Sequence, residues 1–171
     1  QAVNQAISQY PFSTELITLK AQILSNLEEY SQAIELLDQA HALQPNDPEI
    51  FLTKGSILSL QGNHAEAIEN YEQALLLADD KDEVYYSIGL AHQSMEDFQQ
   101  AIVAYKLSIE ININHEGSLY ELAFCLDLAG QLESSIEYYQ KFIDEDPYST
   151  AAWYNLGIVY NKLEKFQEAL Q

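Results

Sequence analysis

Arginine is absent from the 171 residues, and the basic side chains amount to seven lysines against 27 acids, a net charge of −20. A surface of that sign repels phosphate backbones and anionic lipid heads. It argues against nucleic-acid and peripheral membrane binding and favours basic or neutral partners. Cysteine is nearly absent too. Cys125 stands alone, so no internal disulfide forms, and a lone cysteine leaves the compartment open, the cytoplasm being favoured. No uninterrupted apolar run reaches the ~18 residues that mark a membrane-spanning helix. The glycine motifs that cradle phosphates or present a nucleophilic serine are missing as well. What the chain does have is 47% hydrophobic and 20% charged residues, the balance of a folded protein.

The clearest pattern lies at 151–169. Trp153, Leu156, Gly157 and Tyr160 share one helical face. After a polar stretch at 162–165, Phe166, Ala169 and Leu170 restart the pattern, as a second helix would. A helix pair this small needs neighbours of its own kind to cover its apolar faces. The chain supplies them every 34 residues: Trp153, Leu119, Tyr85, Phe51 and Ile17 form one series. The small residues Gly157, Ala123, Gly89, Gly55 and Ala21 form a second, where two helices can approach closely. Ala169, Ser135, Ala101, Ala67 and Ala33 are small in the second helix, beside the bulky Tyr139, Tyr105, Tyr71, Leu37 and Val3. Pro147, Pro45 and Pro11 occupy one repeat position and stop the second helix, with Asp79 and Ile113 in their place elsewhere.

These residues resemble the tetratricopeptide repeat family. Its pattern is matched in order by Trp153, Leu156, Gly157, Tyr160 and Ala169, and partly by Phe51, Gly55, Ala67, Tyr71 and Ala74, then Tyr85, Gly89, Ala101 and Tyr105. The resemblance covers the whole chain and implies an all-α fold, a right-handed superhelix of antiparallel helix pairs. Full repeats are expected at 14–47, 48–81, 82–115 and 116–149, with partial repeats at 1–13 and 150–171, so the chain reads as a single solenoid segment cut from a longer array. Ser135 and Phe142 depart from expected alanines, Phe142 being the more intrusive, and His92 stands where Tyr or Leu is usual.

Nothing assembles an enzyme site, and no cofactor or metal is expected. His41, His64, His92 and His115 occupy four different repeat positions. His92, on the core stripe of a first helix, reads as a core histidine satisfied by a neighbour. Cys125 reads as a buried structural thiol, and Asp144-Glu145-Asp146 as an acidic turn, since Pro147 follows where a calcium loop needs more ligands.

One step round from the core stripe, the first helices carry Leu52 and Ser56, Tyr86 and Leu90, Tyr120 and Phe124, and Tyr154 and Ile158, each pair four apart. The resemblance implies that these positions line a concave groove where partner peptides are held. Two readings stand side by side: the rings anchor a partner, or they pad contacts between repeats. The Lys/Asn/Arg clamp by which some members hold acidic C-termini is absent, its positions carrying Thr18, Gln22, Thr53, Glu83 and Ser87 in one register. Glu49, Glu83, Glu121 and Asp127 put negative charge there instead, which predicts a protein or peptide partner with basic and apolar residues. The expected function is non-catalytic protein–protein interaction. Its alternatives are self-association through the solenoid ends or groove, and a scaffold or regulatory segment of a larger multidomain protein.

Overall fold

The computed structural model describes residues 2–10 and 13–164. Ten α-helices and no strand make up the secondary structure of those residues. The chain divides into two compact units, 1–80 and 81–171. The first holds α1 (Ala2–Gln9), α2 (Thr14–Asn26), α3 (Tyr30–Leu43), α4 (Pro48–Leu60) and α5 (His64–Leu77). The second holds α6 (Asp82–Ser94), α7 (Phe98–Ile111), α8 (Glu116–Leu128), α9 (Leu132–Glu145) and α10 (Thr150–Lys162). Within the second unit α6 pairs with α7 and α8 with α9, while α10 packs on both α8 and α9. Pro11, and the restart at Phe166, Ala169 and Leu170, lie outside the described residues.

Capping side chains set where several of the helices begin. Ser13, Asp97 and Ser149 accept a hydrogen bond from the backbone N–H three residues on, and Asp47 does so two residues on with Pro48 at the first helical position. The turns inside the pairs share one device. Glu28, Gly62, Glu96, Gly130 and Glu164 all adopt positive φ, between 57° and 81°. At the first four turns the next residue's N–H then bonds back to a carbonyl five residues earlier, as in Asp97 N–H to His92 O at 3.0 Å.

The repeated small and bulky positions interlock. A β-carbon at Gly55 would come within 2.5 Å of the Tyr71 ring, and one at Gly89 would meet Tyr105 closer still. Ala123 and Tyr139 are buried in one cluster. Tyr105, Tyr139 and Leu37 are fully buried, as are Ala33, Ala67 and Ala101. Ser135 fits its alanine position by donating to the Ala123 carbonyl at 2.8 Å. Phe142 is accommodated rather than intrusive, its ring meeting Tyr120 edge-on at 5.4 Å.

Trp153 is 49% exposed; in its series Leu119 and Ile17 are buried and Phe51 and Tyr85 half-buried, and its indole N–H donates to the Pro147 carbonyl at 3.0 Å. One expectation needs correction. His92 is not satisfied by a neighbour. Its Nδ1 is buried without a hydrogen-bond partner, and the Asp97 carboxylate stays 3.8 Å away because its other oxygen caps α7 through the Gln100 N–H.

Candidate functional site

The residues singled out from the sequence fall on first helices of both units. In the first unit, α4 carries Glu49 and Leu52. Glu49 accepts a long hydrogen bond from Thr53 Oγ1 at 3.4 Å, and Leu52 is half-buried. The remaining nine belong to the second unit: Glu83, Tyr86 and Leu90 on α6, Tyr120, Glu121, Phe124 and Asp127 on α8, and Tyr154 and Ile158 on α10.

The aromatic rings are not equivalent. Tyr86 is half-buried, lying against the start of α8, where a β-carbon at Gly117 would come within 2.9 Å of it, and beside the rings of His115 at 4.9 Å and Tyr105 at 5.9 Å. Leu90 joins Tyr86 on the core formed by α7 and α8. Tyr120 and Phe124 line the neighbouring core, and Asn155 of α10 donates to the Tyr120 hydroxyl at 2.9 Å. Those four side chains therefore do pad contacts between repeats while keeping an exposed edge. Tyr154, on the last helix described and so without a following first helix beside it, is 70% exposed, and Ile158 one turn later is half-buried.

The three acids of this unit differ more sharply. Glu83 lies 3.2 Å from His115 Nε2 and is otherwise exposed. The Ser118 N–H donates to His115 Nδ1, which leaves the ring proton on Nε2 facing the Glu83 carboxylate. Asp127 is matched by Lys162, whose ammonium donates to both carboxylate oxygens at 2.6 and 2.8 Å; with its side chain only 9% exposed, Asp127 offers no free charge. Glu121 has no such cation among the described residues. Its neutral partner is Gln93, which donates from Nε2 to Oε2 at 2.8 Å. The Gln93 carbonyl in turn accepts from the Tyr105 hydroxyl at 2.6 Å and the Cys125 thiol at 3.2 Å.

That relay places the Glu121 charge among groups that resist ionising. Burial first, and the Glu121 carboxylate second, hold Tyr86 and Tyr120 above the usual phenol range and Tyr105 far above it. The same two causes push the Cys125 thiol up to about 12. Cys125 is a buried, inert thiol. One repeat on, Asp127 occupies the position of Gln93. There the Tyr139 hydroxyl is buried without a hydrogen-bond partner, and Asp127 pairs with Lys162.

Sequence reasoning missed Gln93, His115, Asn155 and Lys162. The usable signal was the polar pair Gln93 and Asp127, 34 residues apart on otherwise apolar or small faces. Among the described residues no group of three or more His, Cys, Asp or Glu is gathered to hold a metal. No described helix is long and apolar enough to cross a membrane.

Tandem antiparallel helix pairs locked by small-to-aromatic contacts, with polar and aromatic side chains left on the first helices, define an all-α helical-repeat protein. Sequence models of the tetratricopeptide repeat match residues 16–49, 47–114, 118–149 and 138–171, and the chain belongs to the tetratricopeptide repeat family, whose members mediate protein–protein interaction. The Photosystem I assembly protein Ycf3 of Prochlorococcus marinus is 32% identical over 82 residues, 46% of this chain. The match spans about half of that relative, 47% of its length. Among solved structures, the MamA protein is 25% identical with a TM-score of 0.82, over 92% of this chain and 86% of its own. PilF of Pseudomonas aeruginosa is 21% identical with a TM-score of 0.84, over 98% of this chain and 76% of its own.

Proposed function

We propose that the second unit holds a partner protein segment carrying basic and apolar residues along the first helices α6, α8 and α10, with a lysine or arginine side chain seated on Glu121. Tyr154 and Ile158 supply the apolar contact, with the exposed edges of Tyr86, Tyr120 and Phe124. Glu49 and Leu52 provide the same kind of surface in the first unit.

One observation carries this reading. Glu121 is a half-buried carboxylate with a neutral amide on one oxygen and no cation within ion-pair distance among the described residues, whereas Asp127 is matched by Lys162 and Glu83, beside the neutral His115 ring, is 64% exposed and stays solvated. A partly desolvated charge is costly until a counter-charge arrives. The tyrosines beside it suit the stem and head of a cationic side chain. The similarity to an assembly protein suggests a setting in which this chain holds a partner while a complex is built. A charge of −20 opposes the rival reading of self-association.

The test is calorimetry with capped octapeptides bearing one lysine between leucine and phenylalanine, against the same peptides with glutamate for lysine. The lysine peptides are expected to bind more tightly. Glu121→Gln should weaken them by about tenfold, the loss of one charged hydrogen bond. Tyr154→Ala should weaken both sets. Preference for the glutamate peptides, or indifference to both substitutions, would falsify the reading.

A further inference from the structure

On the other side of α8 from this site lies a cavity. The helices α7 and α9 both pack on α8 and not on one another, and the half-open gap between them holds about 640 Å³, within the size range of ligand sites. Leu119 of α8 is its buried floor; Ile109 and Tyr138 are its walls, and Ile113, 76% exposed, stands at its rim.

Two of its lining positions differ from an earlier copy of the repeat. Two repeats of 34 earlier, the positions of Ile109 and Leu119 carry His41 and Phe51. Those rings meet edge to face at 5.1 Å, whereas the aliphatic Ile109 and Leu119 both line the cavity in the second unit.

Its charges are ordered. Because α7 and α9 are second helices of successive pairs, they run parallel. Each carries a lysine one turn before a glutamate: Lys106 and Glu110 on α7, Lys141 and Glu145 on α9, with Asp144 beside the latter. One end of the channel is therefore basic and the other, a helical turn away, acidic. Lys141 stands 4.6 Å above the Tyr138 ring and keeps an ion pair with Glu137 at 2.7 Å. Among the described residues Lys106, Glu110, Asp144 and Glu145 have no ion pair, although other lysines of this chain find acids within it, Lys54 with Asp38 and Lys162 with Asp127. An occupant of one sign would be drawn to one end and repelled at the other. An occupant with both signs about an apolar centre satisfies the whole channel.

We propose that the channel between α7 and α9 is a second docking site, independent of the face of α6, α8 and α10, and that it takes a protein segment in which one bulky aliphatic side chain lies between an acidic and a basic residue. The aliphatic group rests on Leu119 between Ile109 and Tyr138. The acid meets Lys106, beside the already paired Lys141, and the base meets Glu110, Asp144 and Glu145.

The experiment is fluorescence anisotropy with labelled, capped heptapeptides. Their central leucine is flanked by one glutamate and one lysine, by two glutamates or by two lysines, and in a control alanine replaces the leucine. Each is measured on wild type and on Leu119→Phe, which fills the cavity with the residue the chain itself uses at Phe51. Only the component lost in Leu119→Phe reports this site. That component should be strongest for the mixed peptide, by about fivefold over either single-sign peptide, as two exposed ion pairs allow. Leu119→Phe should weaken the mixed peptide by about tenfold, the worth of burying one aliphatic side chain. Lys106→Glu, an exposed change that leaves the core intact, should move the preference to the two-lysine peptide. That arm decides the matter if Leu119→Phe fails to fold. The proposal is overturned if a single-sign peptide is preferred at this site, if filling the cavity changes nothing, or if no peptide binds. A change in light-scattering mass on Leu119→Phe with no peptide bound would assign the channel to a second copy of the chain instead, which also overturns it.

Discussion

Gly89 has no room for a β-carbon, because the Tyr105 ring occupies the space where one would stand. Gly89→Ala should therefore cost about 1–3 kcal/mol in a urea melt, the usual penalty of overfilling a packed core. Its effect should exceed that of alanine at Gly117, where the obstacle is the outer end of the partly exposed Tyr86 ring. Cys125 gives a second check at this scale. Its thiol pKa is raised from 9.0 to about 12 by burial and then by Glu121, so the folded state holds the proton more tightly than the unfolded chain does. That contribution is complete below about pH 9 and fades as pH rises toward 12. Wild type should thus lose stability from pH 8 to 10, Cys125→Ala should lose less, and a thiol reagent at pH 8 should modify the native protein only after denaturant is added.

The turns between paired helices show what an element demands of its sequence. Gly62 and Glu96 occupy the same left-handed position one repeat apart, one without a side chain and one with. No other atom lies within 4 Å of a β-carbon built at Gly62, so Gly62→Ala isolates the backbone cost. It should lower stability by about 1 kcal/mol in chemical denaturation. The helix pairs and their small-to-aromatic locks were legible because they recur with a 34-residue clock, and a recurring pattern reports local structure directly. The state of the acids was not legible. Glu83, Glu121 and Asp127 look alike along the chain, yet their partners His115, Gln93 and Lys162 come from positions 32, 28 and 35 residues away. Those pairings depend on side-chain rotamers between neighbouring helices, which spacing does not encode. The same limit hid the unpartnered Nδ1 of His92. It also left open whether Tyr86 and Tyr120 pad or present, and the structure has them doing the first with an edge free for the second.

For the molecule as a whole, the charge of −20 sets its behaviour toward salt and toward partners. Self-repulsion strains the compact state, so the melting temperature should rise as salt increases from near zero to a few hundred millimolar. Binding of a basic segment should weaken over the same range, because screening acts on the steering field that brings it in. The opposite signs of these two salt effects separate an interaction scaffold from a protein whose acids serve solubility alone. The most direct measurement is a two-dimensional amide NMR titration of the chain with the lysine-bearing octapeptide. Shifts are expected along α6, α8 and α10, centred on Tyr86, Glu121 and Tyr154, and they should be lost in Glu121→Gln. Shifts confined to α7 and α9, or an equal response to the glutamate-bearing peptide, would contradict the account.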